Sequence, residues 1–261
     1  MQGYKKIDQF LHQLSQVIAK VNKAYVPHQA DDSHTNLYFD SVSNRITGRW
    51  FDGNTGKYLL AFDLKKWEYQ ILGESLKILE WVSQDGKTFH QYERELINTL
   101  NEMDFEVDGL TEPLHFEIPV YAFLEENLDR PEENSLMSWI RIRTQANHAC
   151  MEFLGHIQKS AEIRIWPHHF DTGVYVEVNQ EVGVGFGLAM ADSIIDTPYF
   201  YLSGYPLKEK SWDWTKPSEL ESGKWMVSEN WKGAVLPLTD VNIEDQAIRR
   251  FIQGATSWYL G

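Results

Sequence analysis

The sequence predicts an α+β protein made of two similar lobes, each a helix, an antiparallel meander and a second helix, packed as one pseudo-symmetric body. Apolar residues recur every three or four positions in the N-terminal segment, which is the spacing of a helix with one buried face. Short aromatic and β-branched segments, separated by turn residues, then predict strands in each half of the chain. These patterns come in the same order in both halves, which indicates an internal duplication.

The first half begins with an amphipathic helix over residues 4–25. Its apolar face comprises Ile7, Phe10, Leu11, Leu14, Val17, Ile18 and Val21. An antiparallel meander is predicted next, in the segments LYFDSV, NRITGRWF, KYLLAFDL, KWEYQIL and LKILEWV. A turn at Asp85–Gly86 leads to a helix whose expected N-terminal cap is Thr88, because a Thr hydroxyl can accept a hydrogen bond from a free helix amide.

The second half begins after an acidic loop rich in proline. A long helix is predicted from about Pro131 to Lys159, with Pro131 in its first turn, where no amide hydrogen is needed. A second series of strands is predicted in the segments AEIRIW, GVYVEV, EVGVGFGL, YFYLSGY, KWMVSE and AVLPL. The closing helix is predicted over about Ile243–Tyr259, with Asn242 as its cap.

The two halves can be aligned with Leu37–Phe39 over Val174–Val176, so that their strand segments and closing helices coincide. In this alignment His34 falls in the same corner as His169, just before the first inner strand of its repeat. We therefore expect the two histidine corners to occupy equivalent places in the two repeats. The corresponding domain boundaries are residues 1–112 for the first repeat, 113–130 for an acidic linker and 131–261 for the second repeat.

The composition argues against several classes of partner. The chain of 261 residues carries a formal net charge of -14, which disfavours nucleic acids and anionic membrane surfaces, since both attract clustered Lys and Arg. The single cysteine, Cys150, provides neither a disulfide framework nor a cysteine-based zinc site. The N-terminal pattern is that of an amphipathic helix rather than a signal peptide, and no apolar run is long enough to span a bilayer, so a cytoplasmic location is expected.

The main candidate for a site is the segment WPHHFD, which begins at Trp166 and ends at Asp171. Adjacent strand residues face opposite ways, so only one of His168 and His169 can join a given site, whereas His169 and Asp171 share a face. These two residues are candidates for catalysis, with His169 as general base and Asp171 orienting it. Together with His34 they are also candidates for a metal site. The alternative is a structural corner, whose polar side chains bond the backbone of the turn.

The segment GVGFG, Gly183–Gly187, does not fit the dinucleotide-binding fingerprint, because its third glycine comes one residue early and the segment alternates like a strand. No nucleotide cofactor is therefore expected. Glycines on one face of a strand leave room for a neighbouring ring or for a ligand, and Gly185 and Trp166 are candidate ligand contacts. The tryptophans of the last third of the chain are either core residues or rings at the mouth of a cleft for an apolar or carbohydrate ligand: Trp212, Trp214, Trp225 and Trp231.

Short motifs are spread over most of the chain: Pro27, HTNLY (34–38), WPHHFD (166–171), GFG (185–187), PYFYLSGYP (198–206) and VLPLTD before the last helix. In these motifs the chain resembles a bacterial family of uncharacterised proteins, which is defined by a domain of unknown function. The chain departs from the family at ADDSHT, where the family is more basic and richer in tryptophan, so an anion-binding role of the first half is not implied. The resemblance implies a soluble bacterial protein of this architecture, marks His34, His169 and Asp171 as motif positions, and implies no activity.

Three functions are open to a chain with these features. The first is a small-molecule-binding protein with a cleft near the His34 and His169 corners, where rings provide contact and polar groups fix orientation. The second is a hydrolase or lyase that depends on a metal or on the His169–Asp171 pair. The third is a structural or interaction protein, in which both corners are folding elements only. The patterns do not indicate an oligomeric state.

Overall fold

The computed structural model describes residues 2–84, 86–238 and 244–261. The described part of the chain contains four α-helices and two antiparallel sheets, which confirms the predicted α+β class. The chain forms two compact units. Among the described residues, the first unit comprises 6–84, 86–140 and 165–170, and the second comprises 2–5, 141–164, 171–238 and 244–261.

The helices begin and end close to the predicted positions. They are α1 (Gln2–Tyr25), α2 (Phe89–Glu102), α3 (Glu133–His156) and α4 (Asp245–Leu260). Thr88 caps α2 as predicted, since its hydroxyl accepts a hydrogen bond from the Gln91 amide while the Gln91 side chain accepts one from the Thr88 amide. Pro131 lies before α3 rather than in its first turn, because the helix begins two residues later. Asp85 of the predicted turn and the predicted cap Asn242 lie outside the described residues.

The predicted apolar face of α1 is buried in the first unit. All seven residues of that face are at most 6% exposed: Ile7, Phe10, Leu11, Leu14, Val17, Ile18 and Val21. The helix is also bonded to the sheet of this unit, because the Tyr69 hydroxyl donates to the Leu14 carbonyl oxygen. Burial of this apolar face, at ~25 cal/mol per Å² of surface removed from water, is the main force that holds α1 in place.

The sheet of the first unit contains the five predicted strands and one additional short strand, β3. Its strands are β1 (Tyr38–Asp40), β2 (Arg45–Thr47), β3 (Phe51–Gly53), β4 (Gly56–Asp63), β5 (Glu68–Leu72) and β6 (Ile78–Ser83). Their order is β1-β2-β4-β5-β6, and β3 pairs with the start of β4. The short 3-10 turn that contains His34, Ser33–Thr35, is separated from β1 by two residues. The position of this turn is therefore set by the first strand of the meander.

The second sheet departs from a simple meander. Its strands are β7 (Arg164–Trp166), β8 (Asp171–Glu177), β9 (Val182–Ala189), β10 (Tyr199–Pro206), β11 (Lys224–Val227) and β12 (Lys232–Pro237). Their order is β11-β12-β10-β9-β8-β7, so β12 and not β11 pairs with β10. The reason is the tight β11–β12 hairpin, whose turn is closed by a hydrogen bond from the Ser228 amide to the Trp231 carbonyl oxygen. Because β11 pairs only with β12 in this hairpin, it lies at the edge of the sheet.

The equivalence of His34 and His169 is wrong. Residues 38–47 and 164–173 have the same backbone pattern of three strand, four turn and three strand residues. The fourth turn residue has a positive φ in both, 56° at Asn44 and 53° at Phe170. This pattern places His169 opposite Ser43, whereas His34 lies before β1 in a short 3-10 turn. The sequence alignment followed apolar residues in the strands, but the shared feature is the four-residue turn.

Within the described residues, no helix combines the length and the apolar character needed to cross a membrane.

Candidate metal centre

Three side chains of the first unit converge between α1 and β1. His28, Asp32 and His34 each offer one ligand atom, and these atoms all lie within 4.8 Å of one another. His28 and Asp32 are partly open to solvent, with 75% and 45% of their side-chain surface exposed, whereas His34 is buried. Two imidazoles and one carboxylate that meet at the surface have the composition of a divalent transition-metal site.

The backbone forms this cluster by reversing direction at Asp32. Asp32 has φ 55°, in the left-handed region that Asp tolerates better than most residues. The Asp32 amide donates to the Gln29 carbonyl oxygen at 3.0 Å, and the Asp32 carbonyl oxygen accepts from the Thr35 amide at 3.0 Å and from the Thr35 hydroxyl at 2.9 Å. These bonds turn the chain tightly enough to bring His28 and His34 close to the Asp32 carboxylate.

Neighbouring elements hold the turn from outside. The Asn22 side chain on α1 donates to the Asn36 carbonyl oxygen at 3.0 Å and accepts from the Arg49 amide at 2.9 Å. The Arg49 guanidinium in turn donates to the Ser33 carbonyl oxygen at 3.0 Å. A Cβ at Gly48 would lie 2.5 Å from the Asn22 side-chain oxygen, so glycine is required for this approach. The turn is therefore a preorganised element and not a free loop.

A third histidine contacts the same carboxylate. Asp32 Oδ1 lies 3.8 Å from His28 Nε2, and Asp32 Oδ2 lies 3.5 Å from His115 Nε2. His115 comes from the segment between α2 and α3, far from the other residues in sequence. Because it faces the oxygen that is not turned to His28, His115 orients the carboxylate.

His34 is neutral at physiological pH. Burial lowers its pKa from 6.5, and the nearby His28, His115 and Arg49 lower it further, whereas Asp32 opposes the shift. A metal ion binds the neutral imidazole, so this shift favours coordination. His34 Nδ1 accepts a hydrogen bond of 3.3 Å from the Gln29 amide, which is long for this pair of atoms. Coordination through Nδ1 would replace this bond, and coordination through Nε2 would require the other tautomer, so either route gives up one weak hydrogen bond.

The second histidine corner lies in the four-residue turn between β7 and β8. The Phe170 amide closes this turn by donating to the Trp166 carbonyl oxygen at 2.7 Å. His169 is exposed and lies in the turn, so the expectation that it shares a strand face with Asp171 is wrong. His168 is half-buried, and its ring lies 4.4 Å from the ring of His169 and 5.5 Å from the ring of Phe116.

Electrostatics distinguish His168 from an ordinary surface histidine. Burial lowers the pKa of His168 to about 4, and the nearby His169 and His115 add to this shift. The corners also adjoin through the backbone, since Leu37 and Ile165 exchange two hydrogen bonds of 2.9 Å and 2.7 Å. The two corners are thus neighbours in the first unit, with His115 interacting with both.

Asp171 belongs to the second unit and has a different environment. It begins β8, is 8% exposed, and accepts a hydrogen bond of 2.5 Å from the Tyr201 hydroxyl. Burial, together with this carboxylate, raises the pKa of Tyr201 well above its usual value. Burial also raises the pKa of the Cys150 thiol, and Asp171 adds to that shift. The tyrosine and the thiol therefore stay protonated, and Asp171 is the acceptor of a buried polar pair.

Gly185 also lies in the second unit, in the middle of β9. A Cβ at this position would lie 3.2 Å from the Tyr205 ring, and the neighbouring Gly187 leaves similar room for the Tyr201 hydroxyl. The glycines of the GVGFG segment thus make space for tyrosine rings, which was one of the two interpretations of this pattern.

The converging group differs from the predicted metal set. It contains His34, whereas His169 and Asp171 are not among its members within the described residues. Its other members could have been found from the spacing H-x-x-x-D-x-H over residues 28–34, directly after the end of a predicted helix. No sequence signal indicated His115. Comparisons of the chain with protein-family models, with curated proteins and with solved structures found no match.

Proposed function

We propose that the protein binds a divalent transition-metal ion of the zinc class at His28, Asp32 and His34. The observation that carries this proposal is the approach of the three ligand atoms to within 4.8 Å of one another. Zinc bonds of ~2.0–2.1 Å in tetrahedral geometry separate ligand atoms by about 3.3 Å, so the group must close by up to about 1.5 Å. The exposed His28 ring can supply this movement by a change of side-chain rotamer.

The donor types favour zinc over the alkaline-earth ions. Calcium and magnesium take oxygen ligands, whereas imidazole suits zinc, copper, iron and nickel. Two of the three donors here are imidazoles, and the buried one, His34, is neutral. Asp32 supplies the negative charge, and His115 holds its second oxygen at 3.5 Å, as partners of metal-binding carboxylates do.

The exposure of the site favours a metal-dependent hydrolase or lyase over a purely structural metal site. Three protein ligands leave a coordination position for water or substrate, whereas structural zinc sites are closed by four. A bound zinc ion would lower the pKa of that water to about 7. The chain's own contribution is to hold the His34 imidazole neutral and to keep the carboxylate oriented by His115.

The test is calorimetric titration of untagged, metal-free protein with zinc chloride, compared with two neighbouring aspartate variants. Wild type and Asp31→Asn should bind about one equivalent of zinc, because Asp31 is not part of the converging group. Asp32→Asn should bind at least about 100-fold more weakly, since a charged ligand is lost while Asn still tolerates the left-handed backbone. Magnesium chloride should give no binding.

Two results would reject the proposal. One is the absence of zinc binding to a wild-type protein whose circular dichroism shows a folded chain. The other is equal zinc affinity in wild type and Asp32→Asn, which would place the bound ion elsewhere. The hydrolase interpretation is tested separately, by comparing hydrolysis of p-nitrophenyl esters and phosphates by zinc-loaded wild type and Asp32→Asn.

A further inference from the structure

The second unit carries a groove lined by aromatic rings. It has a volume of about 500 Å³ and lies beside the end of β10 and the start of β12. Its walls include the rings of Tyr205, Trp212, Trp214 and Trp231. Three of the chain's ten tryptophans thus line one groove, although tryptophan is otherwise spread along the sequence. Such a volume fits a small organic molecule.

The rings are held in place by the fold. The Trp212 indole donates a hydrogen bond of 3.1 Å to the Tyr259 carbonyl oxygen on α4. The Trp214 ring lies 4.6 Å from the Trp258 ring, also on α4. The Trp231 ring lies so close to the backbone that a Cβ at Gly233 would be 2.7 Å from it. Because these rings are already ordered, a ligand that stacks on them loses little additional entropy on their account.

The charge of the groove is opposite to that of the chain. Lys210 and Lys232 line it, and none of the described residues that line it carries a carboxylate. Neither lysine is ion-paired within the part of the chain that the structure describes. The chain as a whole has a formal net charge of -14, so two unpaired ammonium groups among tryptophans are a local exception. They would attract an anionic ligand.

We propose that this groove binds an acidic carbohydrate, that is, a sugar that carries a carboxylate. The apolar C–H face of a sugar ring can pack on an indole, while its hydroxyls need hydrogen-bond partners such as Ser211 and Asn230 at the groove wall. The carboxylate pairs with Lys210 and Lys232. A neutral sugar would gain nothing from the two ammonium groups, and a purely apolar ligand would form no hydrogen bond with the polar wall.

The groove can be tested independently of the metal centre, because all its residues lie in the second unit. Calorimetric titration measures the affinity of the protein for a short oligogalacturonate. The two control ligands are a cello-oligosaccharide of the same length and adenosine monophosphate. Wild type should bind the acidic sugar at least about tenfold more tightly than the neutral sugar, since charge-assisted hydrogen bonds are about twice as strong as neutral ones. It should also bind the acidic sugar more tightly than the nucleotide.

Variants then locate the site. Lys210→Gln combined with Lys232→Gln should weaken oligogalacturonate binding about tenfold or more, whereas Lys224→Gln, on an exposed lysine outside the groove, should not. Trp231→Ala should abolish binding, whereas Trp81→Ala, at a 59% exposed tryptophan of the first unit, should leave it unchanged. Thermal unfolding of each variant shows whether it folds.

Three binding results with wild type would overturn the proposal, and one result with a variant would do so as well. They are no binding of oligogalacturonate to folded wild type, equal affinity for the neutral sugar, and tighter binding of the nucleotide. Binding that survives both lysine substitutions would also overturn it, since the carboxylate would then not lie in this groove.

Discussion

The chain has two corners rich in histidine in its first unit, residues 27–35 and 167–170, and they hold their side chains in different ways. In the first corner, His28, Asp32 and His34 converge on one point near the surface. In the second, a four-residue hairpin turn places His168 against Phe116 and leaves His169 exposed. Both corners contain a non-glycine residue with positive φ, Asp32 at 55° and Phe170 at 53°.

The two corners differ in the side chain that the residue with positive φ carries. At the first corner this side chain is a solvent-accessible carboxylate, which faces His28 and His115. At the second it is a phenylalanine ring that is 0% exposed and stacks on the ring of His12. Backbone strain is retained where surrounding contacts compensate for it. The first corner thus presents ligands, whereas the second anchors the core.

The largest expected effect concerns the core anchor. Phe170→Ala removes a ring that packs on His12 and Trp139, and should lower the free energy of unfolding by about 3–5 kcal/mol. His169→Ala, at the exposed neighbour, should change it by no more than about 0.5 kcal/mol. Urea denaturation of both variants measures the difference. Similar losses in the two variants would contradict the assignment of Phe170 as the anchor.

The next effect is a difference in zinc affinity between variants of the two corners. His28→Ala should reduce zinc affinity at least about 100-fold, because a direct ligand is lost. His28 is exposed, so this variant should fold normally, which is an advantage over substitution of the buried His34. His169→Ala is the matched control and should retain wild-type affinity in the same titration. The reverse pattern would move the metal site to the second corner.

A smaller effect is expected for the residue between the corners. His115→Ala should weaken zinc binding about tenfold, since the residue orients Asp32 without binding the ion. His90→Ala, at an exposed histidine on α2, is the control for loss of a surface imidazole. A loss as large as that of His28→Ala would show instead that His115 is a direct ligand.

An effect of similar size is a pH dependence at the second corner. The pKa of His168 is about 4 in the folded chain, below its ordinary value of 6.5, so the unfolded chain binds more protons between these two values. The free energy of unfolding should therefore fall as the pH falls from 6.5 to 4. The loss should be absent above pH 6.5 and complete below pH 4. The ring is part exposed, which limits the loss to about 1–2 kcal/mol.

This dependence is measured by urea denaturation of metal-free protein at several pH values. His168→Gln should flatten the curve between pH 4 and 6.5, whereas the exposed His169→Gln should follow wild type. An unchanged curve in His168→Gln would show that another group causes the acid destabilisation.

Local patterns along the chain determined much of the architecture. The seven apolar residues of α1, the cap at Thr88 and five of the six strands of the first meander were predicted, because each depends on side-chain spacing or on contacts between neighbours in sequence. The short strand β3 was not predicted as a separate strand, since most of it lies in a segment with the composition of a turn. His34 was also identified as a candidate ligand, and the structure places it in the converging group. Its partners His28 and Asp32 are within six residues of it, so a search for ligand spacing would have found them.

Other features were decided only by the tertiary structure. The position of β12 between β10 and β11 depends on how a hairpin folds back, and both orders fit the same strand pattern. The contact of His115 with Asp32 joins residues that are far apart in the chain, and the grouping of Trp212, Trp214 and Trp231 around one groove depends on α4. The physical reason is the same in each case. Periodicity reports which face of an element is buried, but the partner of that face is selected by packing between distant segments.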